Sequence, residues 1–281
     1  MKQIISCSRR TDVPAFYLPW LIKCLKRGYA DVFNWHNNRW HRVSLRPDDV
    51  HTIVLWSKNF RPFLTHREYF KHYHLFFNFT FNICPQLEPK LPSLKERLAQ
   101  MRELTAIYGV DRVQWRFDPV VLWEGGRKSN LDGFEPLAEI VSLLGVSKCY
   151  FSFATWYPKV SARLQRSGFP LYQPPLEQRR EIAGNLADIA RNYSITLFAC
   201  CSDELVGVNG IQKACCIDGR ILLSLAKEPC TLKKDDGQRP DCGCSKSRDI
   251  GSYKHMPCYH ACLYCYANPA HPKLKFKFKK R

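Results

Sequence analysis

The sequence predicts an α/β protein built on a parallel sheet: a (β/α) barrel of TIM-like kind, partial or closed, ending in a C-terminal cysteine-rich metal-binding segment. Three observations carry that expectation. Between residues 3 and 200, short apolar runs of strand length alternate with segments of helical period, the pattern of βαβ units. Polar and charged residues collect where those runs end. Past residue 201 the rhythm fades and cysteines concentrate instead.

In chain order, Gln3-Ile4-Ile5-Ser6-Cys7 forms the first strand, followed directly by the polar run Ser8-Arg9-Arg10-Thr11-Asp12. Pro14 disfavours helix at the residue before it, so a helix is expected over 16–27, closed by Gly28. Residues 30–35 and 41–45 read as a hairpin about Asn37-Asn38. A buried strand over 52–56, a helix over 61–73, a strand over 75–81 and a helix over 94–108 follow. The last carries Leu94, Leu98, Met101, Leu104 and Tyr108 at spacings of three and four, and Gly109 ends it. A strand over 113–122, a helix over 134–144 and a strand over 149–154 come next. A long helix over 176–193, opened by Pro174-Pro175, and a last strand over 195–200 complete the series.

The polar residues at the ends of these strands include Ser8 to Asp12, Ser57-Lys58-Asn59, Thr80, Asn82, Arg116, Asp118, Thr155 and Ser202-Asp203-Glu204. In a parallel barrel those ends share one rim, where such folds build their active sites. Arg9, Arg10, Asp12, Lys58, Asn59, Arg116 and Asp118 are therefore the candidates to line a cofactor or substrate pocket. Arg116 and Asp118 stand two apart in one strand and so point to the same face, as a structural ion pair or as a substrate clamp.

A chain of 281 residues, 45% hydrophobic, can bury the core of one sizeable domain. Residues 1–201 are expected to form the barrel core, 202–270 the cysteine-rich segment packed on its rim, and 271–281 a basic tail. Fourteen cysteines behind a start, Met1-Lys2-Gln3-Ile4-Ile5-Ser6, that lacks an apolar leader core point to a reducing cytoplasm rather than a disulfide framework. No apolar run nears the roughly 20 residues of a membrane helix. The formal net charge of +18 and a pI near 9.4 favour a polyanionic partner such as nucleic acid, although a basic, solvated surface is the plainer account. The tail from His271 to Arg281 alternates basic and apolar residues.

The most specific signal is Cys258, Cys262 and Cys265, spaced C-x3-C-x2-C, with Tyr264 just before the third cysteine. Three thiolates on one loop can converge on iron or zinc and leave one position open. His255 and His260 stand close enough to join them. A second group combines Cys242 and Cys244 with one member of each pair Cys200/Cys201 and Cys215/Cys216. The preferred set, Cys201, Cys216, Cys242 and Cys244, suits zinc or an auxiliary iron-sulfur cluster. Cys7, Cys24, Cys84 and Cys149 lie in apolar surroundings and read as buried free thiols.

The C-x3-C-x2-C loop resembles the cluster loop of radical S-adenosylmethionine enzymes. That resemblance implies a [4Fe-4S] cluster on Cys258, Cys262 and Cys265, S-adenosylmethionine on the fourth iron, cleavage to a 5′-deoxyadenosyl radical, and a reductant protein as partner. Those enzymes place the loop after the first barrel strand, whereas here it follows every other element, and no Gly-Gly-Glu-type stretch appears. A wider likeness rests on Ser8 to Tyr17, Trp115-Arg116-Phe117-Asp118-Pro119, Gln238-Arg239, Cys242-Gly243-Cys244, Asp249-Ile250-Gly251 and Cys265-Tyr266-Ala267-Asn268. Through these the chain resembles a bacterial family defined by a domain of unknown function whose C-terminal cysteine cluster is like that of radical S-adenosylmethionine enzymes. The contrasting expectation is a non-catalytic nucleic-acid-binding protein stabilised by zinc or iron-sulfur centres.

Overall fold

A computed structural model describes residues 1–34 and 38–267. Its strands are β1 (Gln3–Cys7), β2 (Tyr29–Asn34), β3 (Arg39–Ser44), β4 (Val50–Ser57), β5 (Leu75–Thr80), β6 (Val113–Val120), β7 (Leu122–Trp123), β8 (Lys128–Ser129), β9 (Lys148–Phe153), β10 (Leu171–Tyr172), β11 (Thr196–Ala199), β12 (Gln212–Lys213) and β13 (Arg248–Asp249). The helices are α1 (Val13–Phe16), α2 (Leu18–Arg27), α3 (Arg61–Thr65), α4 (Leu94–Tyr108), α5 (Phe134–Leu143), α6 (Pro158–Arg166), α7 (Leu176–Asn192) and α8 (Gly219–Ala226).

Eight strands form one sheet in the order β12-β11-β9-β6-β5-β4-β1-β13, and every pairing in it is parallel. The protein is thus a mixed α/β fold on a parallel sheet, as the alternating pattern predicts. Apart from β13, the strands follow one another across the sheet in chain order. Among the described residues β12 and β13 are the two edges and do not pair with each other.

Alternation along the strands sorts side chains to two faces. Leu55, Phe77, Phe79, Trp115, Phe117 and Phe151 belong to the main core with the helices. Ile4, Val54, Phe76 and Tyr150 point the other way and pack with Ala214, Cys216, Ile217, Leu222, Cys242 and Cys244. The cysteine-rich segment therefore covers the second face, and burial on both faces explains why the strands read as nearly continuous apolar runs.

Local sequence accounts for the element ends. The Ser93 hydroxyl and the Glu96 carboxylate form a reciprocal capping box at the start of α4, and the N–H of Gly109 closes its end on the Thr105 carbonyl. Gly28, at φ 80°, ends α2 in the left-handed conformation that glycine tolerates best.

Several expectations need correction. The helix over 16–27 is two helices, α1 and α2, because Pro14 and Pro19 each sit in a first turn and Asp12 caps the earlier one. The helix over 61–73 is the single α-turn α3 followed by a 3-10 turn over Arg67–Phe70. The strand over 195–200 is not the last, since β12 and β13 extend the sheet at its two edges. These two-residue strands are too short to show a period. The small sheet β10-β7-β8 went unforeseen for the same reason. The hairpin forms, with β2 antiparallel to β3. Most of its turn, residues 35–37, lies outside the described residues, as do Asn268 and the tail from 271 to 281.

Candidate functional site

The C-terminal cysteine loop lies across the ends of β1 and β4. Asp12, just past β1, accepts hydrogen bonds from Ala15 N (3.0 Å), Ser57 Oγ (2.7 Å) and Lys58 N (2.9 Å). The His260 Nε2 of the cysteine loop stands 2.8 Å from its second oxygen. Tyr17 donates to the Pro257 carbonyl at 2.7 Å, and Arg163 on α6 donates to the carbonyls of Leu263 (2.9 Å) and Cys265 (2.8 Å). Leu263 N bonds back to Leu87 O.

Lys58, turned toward this loop, reaches Glu88 at 2.6 Å and the Tyr264 hydroxyl at 3.0 Å. Tyr264 also donates to Glu88. Burial pushes the Lys58 ammonium down, but the Glu88 carboxylate and the Cys262 side chain together outweigh it and hold the pKa above its ordinary value. Burial, with Glu88 beside it, drives the Tyr264 phenol well up. The aromatic residue before the third cysteine is thus held neutral against a carboxylate.

The thiols of Cys258, Cys262 and Cys265 are all raised, first by burial; Asp12 and Cys265 add to the rise at Cys258, and Glu88, Cys265 and Cys258 to that at Cys262, whereas at Cys265 burial acts alone. Lys58 and Arg163 act in the opposite sense on Cys262 and Cys265 respectively. Nearby, Glu88 Oε2, Arg97 Nε and Nη1, and His260 Nδ1 are buried and have no hydrogen-bond partner among the described residues. Among the described residues no three His, Cys, Asp or Glu side chains close on a single metal ion. A mononuclear tetrahedral site would hold its sulfurs about 3.8 Å apart at the usual Zn–S length, and a multi-iron cluster needs them farther apart. The donor set is three thiols, Cys262 buried and Cys258 and Cys265 half-buried, beside the cations of Lys58 and Arg163, a set of the kind that thiolate-bound clusters use.

The second thiol group lies on the sheet face covered by the cysteine-rich segment. Cys200 Sγ is 3.5 Å from Cys216 Sγ. Cys200 also engages Cys201, Cys201 engages Cys242, and Cys244 engages both Cys242 and Cys216. Five thiols thus close a ring. Both Cys200 and Cys201 take part, and so does Cys216. Cys215 instead lies against Gly243, where an added Cβ would meet its sulfur at 2.7 Å. Arg116 donates to Cys216 Sγ at 2.7 Å, and Arg9 faces Cys244. Hydrogen bonds from adjacent thiols, chiefly Cys201 to Cys200 and Cys216 to Cys244, pull those two sulfurs down, with Arg116 and Arg9 adding to the effect.

The rim candidates therefore divide. Asp12 and Lys58 serve the C-terminal loop. Arg9, Arg116 and Asp118 serve the thiol ring, with both guanidiniums over the Trp56 indole at 5.5 and 5.2 Å. Arg116 and Asp118 do share a face and pair directly, and Asp118 also accepts from Ser152. Arg10 bonds to the Gly251 carbonyl at 3.1 Å. Asn59 turns away, its side-chain oxygen accepting from Arg61 N and Gln100 Nε2. His255 packs on Phe33 and Trp40. Cys7, Cys24, Cys84 and Cys149 are buried free thiols, as their surroundings predict.

Sequence reasoning missed Glu88, Arg97, Trp56, Arg163 and Asp249. Glu88 and Arg97 carry no local signal, because their partners are distant in the chain: Lys58 and Tyr264 for Glu88, and the Asn82 carbonyl for Arg97. Asp249 stands in the Asp249-Ile250-Gly251 stretch, which marked it without revealing its role.

A parallel α/β protein with two groups of free thiols is thus the class that fold and site define. Residues 4–267 match the family model described as Domain of unknown function (DUF1848), and the chain belongs to that family. No curated protein matches it. Among solved structures it is similar to a crystal structure of D-hydantoinase, at 9% identity and a TM-score of 0.33, over 56% of this chain and 35% of that one. The chain therefore spans about a third of that protein's length. Among the described residues no helix is long and apolar enough to cross a membrane.

Proposed function

We propose that the protein is a radical S-adenosylmethionine-like iron-sulfur enzyme, in which Cys258, Cys262 and Cys265 hold a [4Fe-4S] cluster. The observation that carries this reading is the folding of the C-x3-C-x2-C loop across the strand ends, with the buried Cys262 and the half-buried Cys258 and Cys265 beside Lys58 and Arg163. When bound, such a centre supplies single electrons at low potential, here to S-adenosylmethionine. The chain's own residues do the rest. Asp12 and His260 fix the loop, Tyr264 and Leu263 exclude water beneath it, and Lys58, Arg97 and Arg163 place positive charge around an anionic cluster.

In this reading the open sheet is a partial TIM-like barrel, with residues 1–201 as its core and 202–270 as the cluster-bearing segment. The thiol ring, above all Cys201, Cys216, Cys242 and Cys244, takes a second iron-sulfur cluster or zinc. A reductant protein delivers electrons, and the protein works in the reducing cytoplasm, where its thiols stay free. The net charge of +18 favours a second reading, a non-catalytic nucleic-acid-binding protein in which both thiol groups are structural metal sites.

Anaerobic purification with iron, sulfide and zinc counted per chain separates the two. The enzyme reading expects iron and sulfide in the wild type, loss of most of both in Cys262→Ala, and 5′-deoxyadenosine on reduction with S-adenosylmethionine. Zinc alone, with no cofactor cleavage and binding to nucleic acid that falls steeply with salt, establishes the second reading.

A further inference from the structure

A cleft of about 510 Å³ opens between the loop after β1, the β2–β3 hairpin and the segment leading into β13. Its size is that of a small-ligand site. Arg9, Arg10, Arg39, Arg248 and His41 line it, against only two carboxylates, Asp235 and Asp249.

Both carboxylates are occupied within the protein. Asp249 accepts from Ser6 Oγ (2.8 Å), Ser8 Oγ (2.7 Å), Arg9 N (2.8 Å) and Gly251 N (2.9 Å). Asp235 accepts from Gly237 N at 3.2 Å and lies 3.8 Å from Arg9. Arg9 is committed further, to Ser247 at 3.0 Å and to the Cys244 side. Arg10 bonds only to neutral oxygen, the Gly251 carbonyl. Arg248 is exposed and, among the described residues, its guanidinium makes no hydrogen bond or ion pair. Burial holds the His41 imidazole below its ordinary range, and the charges of Arg248 and Arg10 push it the same way. The cleft thus carries positive charge that its own acids do not balance.

We propose that this cleft binds the phosphate group of a small phosphorylated ligand, with Arg10 and Arg248 as the clamp on its two sides. Guanidinium forks match phosphate oxygens bidentately, and a dianion offsets both cations where a carboxylate would offset one. No lining side chain is a cysteine, so the site does not depend on either thiol group holding metal.

The test is calorimetric titration of the whole protein with pyrophosphate, and in parallel with a nucleoside diphosphate, at low and raised salt. The expected result is one site that weakens as salt rises. Loss of one charge-assisted clamp in Arg248→Gln should weaken it about tenfold, Arg248→Lys should keep part of the affinity, and Arg220→Gln, exposed on α8 outside the cleft, should change nothing. Tighter binding of the nucleoside diphosphate adds a nucleoside to the ligand, and equal binding assigns the phosphate alone; both uphold the site. No pyrophosphate binding by folded wild type, or equal losses in Arg248→Gln and Arg220→Gln, overturns it. A single-stranded oligonucleotide that binds in the cleft while neither small ligand does overturns it in favour of nucleic acid.

Discussion

His260 Nε2 lies 2.8 Å from Asp12 Oδ2, so a residue five positions past the end of β1 is held by one in the cysteine loop 248 positions later in the chain. Asp12 is 7% exposed and accepts three further hydrogen bonds. Replacing it with alanine strands several buried donors, at a cost of about 3–5 kcal/mol. The denaturant midpoint should fall accordingly, and limited proteolysis should open the chain between residues 253 and 267. An Asp12→Ala variant with wild-type stability and an uncut loop would remove Asp12 as the anchor.

Arg116 joins Asp118 to Cys216 in a setting only 4% exposed. Arg116→Met fills the space but takes the cation from the Asp118 carboxylate, which is 24% exposed and keeps Ser152, so it should cost about 1–3 kcal/mol. Adding Asp118→Asn should recover part of that loss, and a double-mutant cycle in urea measures the coupling. Strictly additive losses would mean that the pair is not coupled.

Alkaline pH should destabilise the metal-free protein through its buried thiols. Burial pushes the Cys84 thiol up to about 12, whereas an unfolded cysteine ionises near 8.5. Between those values the folded state binds the extra proton, so the stability is fully present below about pH 8.5 and declines as pH rises toward 12. At pH 10 this one group accounts for about 2 kcal/mol of lost stability. Unfolding free energies from pH 8 to 10 should fall less steeply in Cys84→Ala, and an unchanged slope would contradict the assignment.

Gly251 is packed against the loop after β1. A Cβ there would meet Ser8 Oγ at 2.0 Å and Ser8 Cβ at 2.6 Å, and Ser8 holds both Arg10 N and Asp249. Gly251→Ala should therefore cost about 1–3 kcal/mol by overpacking. Gly237→Ala, whose nearest neighbour is 3.4 Å away, is the control, expected within about 0.5 kcal/mol of wild type. Thermal unfolding of the two side by side decides the matter.

The sequence by itself determined the parallel α/β class, because strands buried on both faces and helices with one apolar stripe impose periods that survive without any tertiary information. It also determined that Arg116 and Asp118 share a face, a consequence of the two-residue repeat, and which four cysteines behave as buried hydrophobes. It marked the C-x3-C-x2-C loop, whose spacing is local. Only the tertiary structure decided what that loop rests on. Asp12, Lys58 and Glu88 meet it through contacts of 248, 206 and 176 positions, and no periodicity encodes pairings at such range. The same holds for the thiol ring, where Cys200 and Cys201 both contribute while, of Cys215 and Cys216, only Cys216 does: Cys215 lies against Gly243 and Cys216 against Arg116, and packing rather than sequence makes that choice.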